Sequence, residues 1–172
     1  MTRLRRIEDR DRAFFITTNI ARGVVPFTSS ECDLILLTLD QHRKRGAFFL
    51  FGYVVMPSHV HLLISPRNQG LIRAMRDLKS TAGFDIARTR GSSGPIWQAR
   101  YFDTIIRRVR DFWQKLEYIH GNPVEAGLVG SPEEWKWSSY RQFARKGNSP
   151  IPVDPVDLPA DGSHLLWPAP WR

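Results

Sequence analysis

Two short stretches, far apart in the sequence, carry residue types that handle metal ions and phosphate esters. The first is the pair His59 and His61, which flank Val60 inside an apolar segment. The second holds Tyr118 and Asn122, near the end of a predicted helix. Imidazoles and an amide oxygen can bind one divalent cation, and a phenol can act as a nucleophile. The sequence therefore predicts one active site built from both stretches.

The histidine pair has the spacing of side chains that share one face of a β-strand. Residues i and i+2 of a strand point to the same face, and their backbones lie about 7 Å apart. The ring nitrogens of His59 and His61 can then converge on one cation, while Val60 and Leu62 anchor the strand in the core. The alternative is a pair of structural or partly exposed histidines, and a metal site needs at least one further ligand.

Tyr118 and Asn122 have the i, i+4 spacing of side chains on one helix face. The amide oxygen of Asn122 suits Mg²⁺ or Mn²⁺, and the phenol one turn away is placed for in-line attack on a phosphate held there. Equally, Gly121-Asn122-Pro123 is typical of a helix stop, which would make Asn122 a cap and Tyr118 a surface residue. His120 should point elsewhere and is a reserve ligand.

The excess of basic residues indicates a polyanionic partner. The chain carries a net charge of +8, and its pI is near 10.2, which favours nucleic acid or an anionic membrane surface. Phosphates bind cations and unpaired bases stack on flat rings. The predicted DNA-binding residues are Arg73, Arg76, Lys79, Trp97, Arg100, Arg107 and Arg108. Each has a structural alternative as a surface arginine or, for Trp97, a core or hinge residue.

The remaining bulk features point to an intracellular protein. Cys32 is the single cysteine, so no intramolecular disulfide is possible. The N-terminus is dense in charge and lacks a signal-peptide core. The longest apolar run, 47–56, is shorter than the roughly 20 residues that span a bilayer. We expect a soluble, cytoplasmic protein without a membrane partner.

Residue periodicity predicts an α+β domain. Strands are expected over 13–19, 48–56, 59–65 and 98–107, and helices over 30–43, from 71 to at least 82, and over 109–121. Thr28 and Glu31 have the spacing of a capping box before the first helix. The order β-α-β-β-α-β predicts a ferredoxin-like antiparallel sheet, followed by an additional C-terminal helix that carries Tyr118.

The composition changes near residue 146. Residues 147–172 hold six of the twelve prolines and a net charge of −2, which leaves +10 on residues 1–146. We therefore expect a catalytic domain over 1–146 and a Pro-rich, acidic, extended tail over 147–172 without a core of its own.

Four segments, in this order along the chain, resemble the motifs of REP-associated tyrosine transposases. They are YVVMPSHVHLLISP (53–66), WQARYFDTIIR (97–107), LEYIHGNPVEAGLV (116–129) and WKWSSY (135–140). These proteins are bacterial relatives of the single-strand insertion-sequence transposases within the HUH endonucleases. The likeness covers about residues 10–145 and leaves out the tail.

This resemblance implies a Mg²⁺- or Mn²⁺-dependent nuclease and strand transferase that acts on single-stranded DNA. By analogy, His59 and His61 are the metal ligands of the HUH motif. Asn122 matches the third ligand, where insertion-sequence relatives tend to carry Gln. Tyr118 is the nucleophile, which forms a 5′-phosphotyrosine link and releases a 3′-hydroxyl. The implied substrate is a repetitive extragenic palindrome (REP) that folds as a hairpin, and the protein acts as a monomer or a homodimer.

Three other functions remain open from the sequence. A sheet of this order with aromatic residues also builds RNA-binding modules, although the RNP1 pattern is absent. A metal-dependent hydrolase would use activated water in place of Tyr118 and give no covalent adduct. A domesticated transposase would bind hairpins without cleaving them.

Overall fold

In the part of the chain that the structure describes, four strands form one antiparallel sheet. A computed structural model describes residues 12–156 and 158. The order across the sheet is β2-β3-β1-β4, and every neighbouring pair is antiparallel. The strands are β1 (Ala13–Asn19), β2 (Phe48–Val55), β3 (His59–Pro66) and β4 (Phe102–Ile106).

Among the described residues, three long helices connect and follow the strands. A 3-10 turn at Pro132–Glu134 and a short helix α4 (Tyr140–Phe143) come after them. The long helices are α1 (Ser29–Lys44), α2 (Gly70–Arg90) and α3 (Val109–Glu125). The predicted α+β class and the order β-α-β-β-α-β-α are confirmed within the described residues.

The sheet has an apolar cluster on each face. Ile16 and Leu62 belong to the cluster under α1 and α2. The next residues along the same strands, such as Leu63, join a second cluster with Phe112 of α3. Because strand side chains alternate between faces, each strand contributes to both clusters. The sheet is therefore a middle layer between α1 and α2 on one side and α3 on the other.

The first helix begins where the capping box predicts. The Thr28 hydroxyl accepts a hydrogen bond from the Glu31 backbone N–H (3.3 Å), and the Thr28 backbone N–H donates to the Glu31 carboxylate (2.8 Å). Glu31 also accepts from Arg90 at the end of α2 (2.6 Å). This bond to Arg90 is the main reason that the pKa of Glu31 falls to about 2.

The fourth strand is shorter than the predicted span of 98–107, since β4 covers Phe102–Ile106 only. Trp97 forms an isolated bridge with Ile20, two residues out of register with the β1–β4 pairing. The Gln98 N–H still donates to the Asn19 carbonyl at the end of β1 (2.9 Å), but residues 99–101 do not pair with β1. The Lys79 ammonium holds the carbonyl oxygens of residues 98 and 99 (2.7 and 3.1 Å). The prediction of a strand over 98–101 is wrong because this tertiary contact overrides the local pattern.

The third helix passes through its predicted stop. The sequence predicts an end at Gly121, but α3 runs to Glu125 with Pro123 inside it. Proline removes one helical hydrogen bond, yet Asn122 and Pro123 are both buried, and the Asn122 carbonyl accepts from the Ala126 N–H (2.9 Å). Burial of this turn offsets the lost bond. The interpretation of Asn122 as a helix cap is therefore wrong.

The outer edge of β2 is covered by the C-terminal part of the chain. Ser138 forms a bridge with Val54. Further along the same edge, the backbone N–H of Asp154 donates to the Leu50 carbonyl (2.7 Å), and the Asp154 carboxylate pairs with Arg43 (2.7 Å). Residues 147–156 and 158 of the predicted tail have no helix or strand, and residues 157 and 159–172 lie outside the described part.

No helix within residues 12–156 and 158 is long and apolar enough to cross a membrane.

Candidate active site

The histidine pair lies on the face of the sheet that α3 covers. Along β3, His59 and His61 alternate with Val60, which belongs to the cluster under α1 and α2. Leu63, two residues beyond His61, belongs to the cluster under α3. The centroids of the two imidazole rings are 4.6 Å apart. The structure thus brings the rings together as the alternation predicts.

His61 is buried, and its two ring nitrogens have different surroundings. Nδ1 lies 2.9 Å from the hydroxyl oxygen of Thr17, the paired residue on β1. The Phe15 ring stacks on the imidazole at 5.3 Å. Nε2 is also buried, but it has no hydrogen-bond partner within the described residues. When Nδ1–H donates to Thr17, Nε2 presents a free lone pair, which is the usual arrangement of a metal-binding histidine.

His59 and Asn122 meet across the gap between β3 and α3. His59 Nε2 lies 3.1 Å from Asn122 Oδ1, and its Nδ1 lies 3.0 Å from the Ser58 hydroxyl. Since α3 continues past Asn122, this side chain keeps its helical place one turn after Tyr118. The structure therefore brings together His59, His61 and Asn122, which the sequence predicts as ligands.

Burial keeps both imidazoles neutral. It lowers the pKa of His61 to about 3, and the charges of His59 and Lys115 act in the same direction. Burial also lowers the pKa of His59, although its bond to Asn122 opposes the shift. Neutral imidazoles offer lone pairs and do not repel a cation. A metal ion bound here at neutral pH would therefore not have to displace the extra proton of a charged imidazolium.

Tyr118 closes the site on the side of the solvent. Its side chain is 42% exposed. Its ring contacts His61 (centroids 5.2 Å apart) and Phe15 (5.8 Å), and its hydroxyl forms no hydrogen bond to another described residue. The phenol is thus held by ring contacts while its oxygen stays accessible to a substrate.

The donor set fits a small divalent cation. The 3.1 Å between His59 Nε2 and Asn122 Oδ1 is close to the roughly 3 Å that separates neighbouring ligands in an octahedral Mg²⁺ site. The buried, unpartnered Nε2 of His61 supplies a third donor. The described residues contain no group of three or more His, Cys, Asp or Glu side chains that could hold a metal. Water or phosphate oxygens would therefore complete the coordination, as is usual for Mg²⁺.

Sequence reasoning misses three residues of this site. Thr17 orients His61, and Phe15 packs against His61 and Tyr118. Neither shows a local signal, because the register of β1 against β3 is a tertiary property. The ammonium of Lys115 lies 4.6 Å from the centroid of the Phe15 ring, and its i, i+3 spacing from Tyr118 was a usable signal.

His120 is not part of the site. Its Nε2 lies 2.9 Å from the Ser139 hydroxyl, and its ring packs against Tyr140 and Phe143. Burial lowers its pKa to about 4. As expected, His120 points away from the site. Because its ring nitrogen and ring faces contact these other residues, it cannot act as the reserve ligand.

Three of the predicted DNA-binding residues lie on α2, on the face of the sheet opposite the histidines. Arg73 and Arg76 are exposed, and both pair with Asp77 (3.7 and 2.9 Å). Lys79 is occupied by the carbonyl oxygens of residues 98 and 99. The structure therefore does not bring these residues together with Tyr118.

A groove of about 870 Å³ separates the outer surface of α2 from residues 92–101. Exposed Ile72 and Phe84 give it apolar walls. Trp97 lines it but is 9% exposed, packs against Phe27, and has an indole N–H without a partner among the described residues. Three basic residues also line the groove: Arg76, Lys79 and Arg88.

The other predicted DNA-binding residues flank the edge strand β4. Arg100 precedes the strand, and Arg107 and Arg108 follow it. All three are exposed, and none forms an ion pair with another described residue. Since β4 forms one edge of the sheet, these charges lie between the face with the histidines and the face with the groove.

Two curated proteins are similar to this chain over most of its length, whereas no family model matches it. A REP-associated tyrosine transposase of Escherichia coli K12 is 22% identical over 153 residues, which cover 88% of this chain and 90% of that protein. A Haemophilus influenzae protein assigned to the same family is 32% identical over 153 residues, which cover 83% of this chain and 87% of that protein.

A solved structure confirms the fold. It is described as a REP-associated tyrosine transposase bound to a REP hairpin, and it matches with a TM-score of 0.70 at 21% identity. The match covers 96% of this chain and 99% of that one. The 32% identity over most of both chains, together with the motifs in their expected order, shows that the chain belongs to the REP-associated tyrosine transposases, a family of enzymes.

Proposed function

We propose that the protein is a single-stranded DNA endonuclease and strand transferase that acts on REP hairpins through a tyrosine nucleophile. The observation that carries the proposal is the contact between Tyr118 and His61. The exposed phenol packs against the buried imidazole ring, whose Nε2 lacks a partner among the described residues. Buried polar atoms usually have a hydrogen-bond partner, so an unpaired nitrogen beside a phenol supports a functional site.

The reaction begins with attack of the Tyr118 oxygen on the scissile phosphorus. A bond forms between the phenolic oxygen and phosphorus, and the bond from phosphorus to the 3′ oxygen breaks. The phenol loses its proton to solvent, and the leaving oxygen takes one up to become a 3′-hydroxyl. The 5′ end remains joined to Tyr118 as a phosphodiester, so attack by a 3′-hydroxyl can reverse the step without a nucleotide cofactor.

His59, His61 and Asn122 would hold Mg²⁺ or Mn²⁺ at this site. When bound, the cation offsets negative charge on the phosphate oxygens. Thr17 fixes the ring of His61 so that its free nitrogen faces the site. Phe15 packs behind both His61 and Tyr118 and limits their movement relative to each other.

The single-stranded part of the substrate would reach the site along β4. Phe102 is paired with Thr17 and therefore lies on the same face as the histidines. Its ring is 71% exposed, which suits stacking of an unpaired base. Arg100, Arg107 and Arg108 are free to contact phosphates on either side of it. We propose that the groove beside α2 receives a further part of the hairpin substrate.

Covalent trapping tests this function. A labelled hairpin oligonucleotide from the host's own REP sequences is incubated with Mn²⁺ and run on a denaturing gel. We expect a metal-dependent protein–DNA band that is lost in Tyr118→Phe and in the His59→Ala/His61→Ala double variant. Tyr140→Phe is the matched control and should keep the band, because Tyr140 packs against His120 away from the site.

The other outcomes separate the alternatives. Cleavage without an adduct that survives in Tyr118→Phe would show a hydrolase that uses activated water. Binding without cleavage across several REP sequences would show a binding module or a domesticated transposase.

A further inference from the structure

Lys115 holds a positive charge beside the nucleophile. It lies one turn before Tyr118 on α3, and its ammonium is 4.6 Å from the centroid of the Phe15 ring and 5.9 Å from that of Tyr118. Aromatic faces attract a cation without neutralising its charge. The two rings therefore fix the position of the ammonium and leave its charge available.

The other lysines of the chain have polar partners. Lys44, Lys136 and Lys146 pair with carboxylates, and Lys79 donates to two carbonyl oxygens. Lys115 has neither kind of partner within the described residues. A partly exposed ammonium without a counter-ion is available to bind an anion.

We propose that Lys115 binds a non-bridging oxygen of the scissile phosphate and stabilises the charge that builds up there as Tyr118 attacks. The inference rests on the proposed function, since it assigns a substrate contact in the same site. Attack on a phosphodiester adds negative charge to the non-bridging oxygens, and a fixed cation in a partly dry site stabilises that charge more than water does. The histidines and Asn122 approach from β3 and the end of α3, whereas Lys115 lies two turns before Asn122 on α3.

The test compares charge and shape at this position. Lys115→Met keeps most of the side-chain length and removes the charge, while Lys115→Arg keeps the charge. We expect Lys115→Met to form the covalent adduct about 100-fold more slowly at saturating DNA, and Lys115→Arg to regain most of the rate. Hairpin affinity, measured in a Tyr118→Phe background, should change only a few-fold because many phosphates contribute.

Lys136→Met is the matched control. The ammonium of Lys136 also lies over an aromatic ring, 4.5 Å from the centroid of Trp137, but it pairs with Asp33 on α1. Its loss should leave the rate of adduct formation unchanged.

A modified substrate separates a phosphate contact from a structural role. Once wild-type protein has mapped the cleavage site, that linkage is replaced by a methylphosphonate, in which a methyl group replaces one charged oxygen. On this substrate, Lys115→Met should slow adduct formation by only about threefold or less, compared with about 100-fold on the unmodified linkage. The substitution and the methylphosphonate remove the same interaction, so their effects should not add.

If Lys115→Met slows adduct formation equally on the phosphodiester and the methylphosphonate, or slows it on neither, the inference is overturned and the proposed function stays intact. Failure of wild-type protein to form any adduct on the unmodified hairpins would instead overturn both.

Discussion

The two faces of the sheet differ at one end of β3. Under α1 and α2, Val60, Leu62 and Ile64 are all buried in an apolar cluster. On the α3 side, Leu63 is buried in the same way, but His61 and His59 replace further apolar residues towards the start of the strand. One strand thus supplies a core on one face and a polar site on the other. We infer that substitutions of the buried apolar residues on the first face affect stability, whereas substitutions in the polar site on the second face affect chemistry.

The largest effect that separates the two faces is expected from Tyr118→Phe. This change removes only a hydroxyl that has no partner among the described residues, so the free energy of unfolding should stay within about 0.5 kcal/mol of wild type. Adduct formation should fall by roughly 10⁴-fold or more because the nucleophile is lost. Rapid-quench kinetics and thermal unfolding measure both quantities. A large loss of stability would show that Tyr118 belongs to the core.

The opposite result is expected from Leu62→Ala on the other face. Leu62 is fully buried, and truncation of a buried leucine costs about 2–5 kcal/mol. Denaturant titration should show this loss, while the cleavage rate per folded molecule stays near wild type. The exposed Leu37 of α1 provides the control, since Leu37→Ala should change stability little. If Leu62→Ala lowered the cleavage rate per folded molecule as much as Tyr118→Phe does, the distinction between the two faces would be wrong.

Acid should weaken the contact between Glu31 of α1 and Arg90 of α2. The pKa of Glu31 is about 2 in the folded protein, against an ordinary value of 4.5 for a glutamate side chain, so its bond to Arg90 contributes stability above pH 4.5. That contribution, roughly 2–3 kcal/mol, is lost as the pH falls from 4.5 towards 2. In Glu31→Gln, the stability measured by denaturant titration should depend less on pH over this range. An unchanged pH profile in the variant would contradict the assignment.

The smallest predicted effect concerns the orientation of His61. Thr17→Val keeps the size of the side chain and removes the hydroxyl that lies 2.9 Å from His61 Nδ1. Loss of such a supporting bond typically weakens metal binding by 10- to 100-fold. Calorimetric titration with Mn²⁺ measures the effect, and Thr104→Val on the exposed part of β4 is the control. An unchanged affinity for Mn²⁺ in Thr17→Val would contradict the assignment of His61 as a metal ligand.

Local sequence signals predict much of the fold. The bounds of β1 match the expected Ala13–Asn19, and the capping box places the start of α1 correctly. Both features depend on neighbouring residues. The short β4 and the passage of α3 through Pro123 were missed because contacts distant in sequence decide them.

In the site, too, local spacing predicts some residues, while others depend on contacts distant in sequence. Strand alternation predicts that His59 and His61 share a face, and helical spacing places Asn122 one turn from Tyr118. Thr17 could not be found in this way, because its contact with His61 depends on the register between two strands. The metal and DNA-binding roles of the predicted residues remain predictions.

Identification of the residue that becomes linked to DNA tests the central claim most directly. Wild-type protein is trapped on a REP hairpin with Mn²⁺, digested with protease and nuclease, and examined by mass spectrometry. We predict one modified peptide, in which Tyr118 carries a nucleotide through its 5′ phosphate. A nucleotide on another residue, or a linkage through a 3′ phosphate, would contradict this account.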